Sequence, residues 1–81
     1  MIKVYSVPSC EHCEESKEYL KENNIDFENI NLKAKENRDA RVFYRSLGIK
    51  TAPVITGVGK DNEEWILVEF SKERLVELME S

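Results

Sequence analysis

Cys10 and Cys13, with Glu11 and His12 between them, are the side chains in this sequence best suited to chemistry. They fall where an apolar strand pattern gives way to a helical one. A helix N-terminus presents unpaired N–H groups and a partial positive charge, which favour thiolate over thiol at the first cysteine. A free cysteine with a pKa near 8.5 is only about 3% thiolate at pH 7, whereas a pKa near 6 would make it about 90%. Cys13 lies one turn further along the same helix face. It can attack a mixed disulfide on Cys10 and release the reduced partner. As a structural staple the pair is weak, since a four-residue loop yields roughly 2 kcal/mol against more than 4 for a loop of about 100 residues.

His12 is the sole histidine. Protonated, it would add positive charge beside Cys10 and raise the reduction potential; as an exposed side chain it would do little. Glu11, Glu14 and Glu15 oppose thiolate formation while suiting the helix dipole. Zinc normally takes four ligands, and no cysteine beyond these two is present. An iron–sulfur cluster would need cysteines from a second chain or bound thiols. No metal site is expected.

Ile2 to Val7 alternates β-branched and aromatic residues and reads as a strand. Pro8-Ser9 ends it, Ser9 being suited to a helix N-cap. A helix is predicted from about Glu11 to Asn24, a strand from Ile25 to Leu32, and a helix from Lys35 to Leu47. In that helix Ala40, Phe43, Tyr44 and Leu47 repeat at helical spacing, with Gly48 as its C′ stop. Arg38, Arg41, Tyr44 and Arg45 read as a solvated helix face rather than an anion site. Pro53 to Thr56 is a short strand, residues 57–62 a turn, and Glu64 to Phe70 a last strand in which Trp65 is a half-buried aromatic. Ser71 caps a final helix whose core face is Leu75, Leu78 and Met79. This βαβ–α–ββ–α order implies a mixed sheet with helices on its faces, its first two strands parallel and its last two antiparallel.

Pro53 is the other residue of interest. An X–Pro bond costs only about 0.5–1 kcal/mol in the cis form. A cis turn would direct the Ala52 backbone outward, where an extended partner segment could pair with it while its sulfur meets Cys10. The plainer alternative is a proline that merely starts a strand.

The chain has 81 residues, 41% of them hydrophobic and 35% charged, with a net charge of −4. One domain spanning 1–81 is expected at this size. The acidic balance argues against nucleic acid as a partner, and no apolar run approaches the roughly 18 residues of a membrane span. The N-terminus lacks the basic start and apolar run of a signal peptide, so a cytoplasmic location is expected. There, a close cysteine pair points to catalysis or metal binding rather than to structure.

A strand, Cys-x-x-Cys at a helix start and, about forty residues later, Thr51-Ala52-Pro53-Val54-Ile55 together resemble the glutaredoxins over essentially the whole chain. The second segment is similar to the family's Thr-Val-Pro motif, whose proline is cis and faces the dithiol. The resemblance implies an α/β thioredoxin-like fold of glutaredoxin type, with four strands in a mixed sheet and three helices on its faces. It implies a dithiol–disulfide oxidoreductase that reduces protein disulfides, with Cys10 as nucleophile and Cys13 resolving. It places substrate binding at Thr51, Ala52 and Pro53, with Lys50 matching the basic residue that often precedes Thr-Val-Pro. Ser71 and the last helix's N-terminus could receive a carboxylate. No tightly bound cofactor is implied beyond the reversible Cys10–Cys13 disulfide, and the expected form is a monomer reset by a reductase or by glutathione.

Three departures bear on glutathione. Val7 stands where the family often has a basic residue, and His12 replaces a tyrosine. Val68-Glu69-Phe70-Ser71-Lys72 takes the place of a Gly-Gly-x-Asp segment, bringing Glu69 where a carboxylate would bind. The stretch from Trp65 to Leu75 is more similar to glutaredoxin-like redoxins that serve ribonucleotide reductase or are reduced by thioredoxin reductase. A glutathione-dependent enzyme, and a cluster-bridged or redox-sensing module using the same cysteines, are the alternatives.

Overall fold

The computed structural model describes residues 2–49, 52–59 and 61–80. Strand β1 (Ile2–Ser6) is central because its two faces are both apolar: Val4 is fully buried on one side and Tyr5 almost so on the other. It pairs in parallel with β2 (Phe27–Asn31) and antiparallel with β3 (Val54–Val58), which pairs antiparallel with β4 (Glu64–Val68). The sheet order is therefore β2-β1-β3-β4, a four-stranded mixed sheet.

Helices cover both faces. On one, Leu20 of α1 (Glu11–Glu22) and Leu75 of α3 (Lys72–Glu80) close over Val4, Ile55 and Leu67. On the other, Ala40 and Tyr44 of α2 (Arg38–Ser46) pack against Tyr5, Leu32 and Val54. Each fully buried aliphatic side chain of this kind contributes about 1.5–3 kcal/mol. No helix of the described residues is long and apolar enough to cross a membrane.

The element order matches that read from the sequence, and the differences lie at the ends. Strand β2 starts at Phe27 rather than Ile25, because Ile25 belongs to the end of α1. Its N–H bonds Leu20 O at 2.9 Å and that of Asn24 bonds Lys21 O at 3.1 Å, with Asn24 left-handed at φ 57°. That is a Schellman cap with asparagine in the usual glycine place. The second helix starts three residues late, residues 35–37 forming a 3₁₀ turn in which Asn37 Nδ2 donates to Asn31 O. Gly48 does hold the C′ position, at φ 71°. On α3, Leu75 and Leu78 face the core, whereas Met79 stays exposed. Phe43, expected on the core face of α2, is 39% exposed.

Gly57 and Val58 belong to β3 rather than to a turn, which is closed by Gly59 N–H on Glu63 O at 2.7 Å. Gly57 lies directly opposite Trp65 across the β3–β4 ladder, and a Cβ there would run into the indole ring. Glycine is needed here for space. Gly57→Ala should therefore destabilise the fold by about 1–3 kcal/mol, the usual cost of overpacking, read as a lower urea midpoint. Combining it with Trp65→Val should lose less than the sum of the two single changes. Strict additivity would show that the indole is not the obstacle.

Candidate active site

The chain leaves β1 at Ser6, turns at Pro8 and Ser9, and enters α1 at Glu11. Ser9, with φ 60°, is part of the turn and does not cap the helix. Cys10 is itself the N-cap, extended at φ −109° and ψ 108°, and its Sγ accepts the Cys13 N–H at 3.2 Å. The sulfur thus occupies the place of a capping serine oxygen and receives one of the orphan N–H donors of the first turn. A hydrogen bond of this kind favours a charged sulfur over a neutral one.

The Cys10 and Cys13 sulfurs form a disulfide, their Cα atoms 5.2 Å apart. Their exposure differs. Cys10 is part-exposed, whereas Cys13 is completely buried on the inner face of α1 with Ser16 and Leu20. The Ser16 hydroxyl, also buried, donates to Cys13 O at 2.7 Å. That bond satisfies a buried hydroxyl inside the helix turn that carries the second sulfur.

A hollow of about 300 Å³ is lined by His12, from between the two cysteines, together with Ala52, Pro53, Glu69 and Phe70. The Ala52–Pro53 peptide bond is cis, and Pro53 O accepts the Glu69 N–H at 3.3 Å, tying the approach to β3 to the loop after β4. His12, Ala52 and Pro53 are thereby brought together. Glu69 joins them with a left-handed backbone, φ 69°, that a non-glycine residue adopts at some cost. No sequence signal marks that conformation, because Val68-Glu69-Phe70 reads as more strand.

The other contacts of the expected site residues lie outside this hollow. His12 leans to the Glu15 carboxylate, Nδ1 to Oε2 3.8 Å, with both side chains largely exposed. Glu11 lines a second, wider hollow with Ser9, Cys10, Glu14, Glu15 and Glu18, so the α1 flank of Cys10 is acidic. The Ser71 hydroxyl is engaged at the start of α3, accepting the Arg74 N–H at 3.3 Å and donating to Glu73 at 3.2 Å. Lys50 and Thr51 lie outside the described residues.

The face of α2 read as merely solvated is more structured than expected. Arg41 reaches back to donate to Leu32 O at 3.0 Å and Ala34 O at 2.6 Å. Together with Lys33 and Arg45 it rims a cavity of about 340 Å³ floored by Val7, Leu32, Tyr44 and Ile49. Burial pushes the Tyr44 hydroxyl pKa up from 10, so it stays protonated near neutral pH. The spacing of Arg41 and Arg45 hints at a shared helix face, but Lys33 and Val7 come from other elements. Among the described residues, no group of three or more His, Cys, Asp or Glu side chains is arranged to hold a metal ion.

Comparison with known proteins agrees with this geometry. Residues 2–60 match the glutaredoxin family model. A glutaredoxin-like 8.6 kDa protein of the rubredoxin operon of Clostridium pasteurianum is 39% identical, the alignment covering 99% of each chain. The N-acetyl-S-hydroxy-L-cysteine reductase of Bacillus subtilis is 35% identical, over 91% of this chain and 77% of its own. The glutaredoxin-like protein NrdH-redoxin of Escherichia coli superposes with a TM-score of 0.75 at 22% identity, over 99% of this chain and 96% of its own, a likeness of fold. By these matches and its Cys-x-x-Cys pair, the chain belongs to the glutaredoxin family and is a thiol–disulfide oxidoreductase.

Proposed function

We propose that the chain is a single-domain dithiol electron carrier that reduces protein disulfides, with Cys10 as nucleophile and Cys13 as resolving thiol. The unequal burial of the two cysteines carries this reading: Cys10 is part-exposed and open to a partner, whereas Cys13 is fully buried. The Cys10 thiolate attacks one sulfur of the partner's disulfide, forming a mixed disulfide and expelling the other sulfur as a thiolate that takes up a proton. Cys13, having lost its proton, then attacks the Cys10 sulfur. The second partner sulfur leaves as a thiol and the Cys10–Cys13 disulfide forms. Two electrons and two protons pass to the partner, and an external dithiol restores the pair. Pro53 and Ala52, in the hollow that His12 also lines, offer backbone to an extended partner segment.

The electron donor in this reading is a protein reductase rather than glutathione. The support is electrostatic: Glu69 lines the hollow that holds Pro53, and Glu11, Glu14, Glu15 and Glu18 line the hollow that holds Cys10, carboxylates that an anionic tripeptide reaching from Cys10 to Pro53 would meet. The test is a coupled assay on a protein disulfide. With thioredoxin reductase and NADPH the chain should turn over at least about tenfold faster than with glutathione and its reductase, one decade being 1.4 kcal/mol of discrimination. The reverse ranking would assign glutathione as donor, and failure of both systems would sink the electron-carrier reading.

The identity to the Bacillus subtilis reductase favours a second substrate class. Its name specifies a small S-hydroxy-cysteine, and the same two thiols serve that chemistry. Cys10 would displace the hydroxyl, which leaves as water once protonated, and Cys13 would resolve the resulting mixed disulfide.

A further inference from the structure

We infer that the cation-rimmed cavity between α2 and the loop from β1 to Cys10 is a docking pocket for an acidic segment of the protein partner. The inference rests on the reading of the chain as a reductant of protein disulfides and adds to it where, and through what chemistry, a partner is held. Val7, Leu32, Tyr44 and Ile49 form the floor, while Lys33, Arg41 and Arg45 supply the rim, and among the described residues no acidic side chain lines the cavity. Its volume of about 340 Å³ is at the small end of ligand pockets, room for a carboxylate side chain and an apolar neighbour rather than a cofactor.

Two features make the rim more than surface charge. Arg41 is held by the carbonyls of Leu32 and Ala34, so a positioned cation stands at the edge before any partner arrives, which lowers the cost of ordering it on binding. Val7, on the floor, is on the loop that delivers Cys10, so a segment seated here lies against the element carrying the nucleophile. Charge complementarity then identifies the occupant. The hollow that holds Cys10 is lined by Glu11, Glu14, Glu15 and Glu18 and repels anions, whereas the α2 cavity, which Val7 three residues before Cys10 also lines, attracts them. A partner with Glu or Asp beside an apolar residue, on one side only of its reactive cysteine, fits both and is held in one direction.

The test uses the full chain, reduced beforehand, in single turnovers against short peptides whose cysteine carries a mercaptoethanol disulfide. Two peptides place Glu-Leu either before or after the cysteine, and a matched pair carries Lys-Leu instead. One of the two Glu peptides should react about fivefold faster than its Lys counterpart, a margin that falls towards unity at about 0.5 M salt. The variant Lys33→Gln/Arg45→Gln should lose that margin yet reduce the small neutral disulfide of mercaptoethanol at the unaltered rate. Equal rates for Glu and Lys peptides, or a margin that survives the double variant, would overturn the pocket assignment. So would a double variant equally slow on the neutral disulfide. Failure of the unaltered chain to reduce even the neutral disulfide would instead refute the thiol chemistry beneath it.

Discussion

Cys13→Ser should stop the reaction half-way, with the partner covalently joined to Cys10. The buried position of Cys13 is the reason. Once Cys10 has formed the mixed disulfide, the thiol best placed to attack its sulfur is the one a helical turn inward, at 5.2 Å between Cα atoms. Serine in that position keeps the volume and the helix but cannot take part in exchange. Mixing the variant with a disulfide-bearing protein should therefore give a product of summed mass that dithiothreitol dissolves. Cys10→Ser should give no such product and reduce exchange by about three orders of magnitude or more, because the remaining thiol is shielded from solvent. Accumulation of the mixed disulfide on Cys13 in that second variant would invert the assigned roles.

Leu20→Ala is expected to have the largest effect on stability. Leu20 is fully buried and joins α1 to Val4, Ile55, Leu67 and Leu75 across the sheet face. Truncating such a leucine removes transfer energy and leaves a cavity, together about 2.7–5 kcal/mol. A chain of 81 residues has about 4–12 kcal/mol of stability to lose, at 0.05–0.15 kcal/mol per residue. The variant should show a much lower urea midpoint with an unchanged slope, and a thermal midpoint reduced by many degrees. A loss below about 1 kcal/mol would mean that α1 collapses into the gap and that its hold on the sheet lies elsewhere. The outcome bears on chemistry as well as folding, since α1 carries Cys13, is capped by Cys10 and provides the N–H that reaches the Cys10 sulfur.

The two cysteines show how much could be read from the sequence. Cys10 and Cys13 announce themselves by type, spacing and position at a strand-to-helix change. Strand alternation in Ile2 to Ser6, the cap at Gly48 and the order of the elements were legible for the same reason. Each is governed by local sterics, by hydrogen bonds between near neighbours, or by a period of two or 3.6. Element ends were less legible. Ile25 could not be seen to close a helix, nor Gly57 to yield space to Trp65, because each depends on what another segment brings opposite.

The sequence alone therefore determined the chemistry, a dithiol at a helix start, and the architecture that presents it. It also showed Pro53 as a companion, through a motif dense enough to recognise. Tertiary contact settled the rest: that Cys10 rather than Ser9 caps α1, that Cys13 is buried while Cys10 is not, and that Glu69 enters the hollow with Pro53. It also gathered Lys33, Arg41 and Arg45 around an apolar floor, where spacing along the chain suggested only a wet helix face. The physical reason is one of range. Backbone preferences and periodicity act over a few residues, whereas burial and charge surroundings are sums over groups that only the packed sheet and helices bring together.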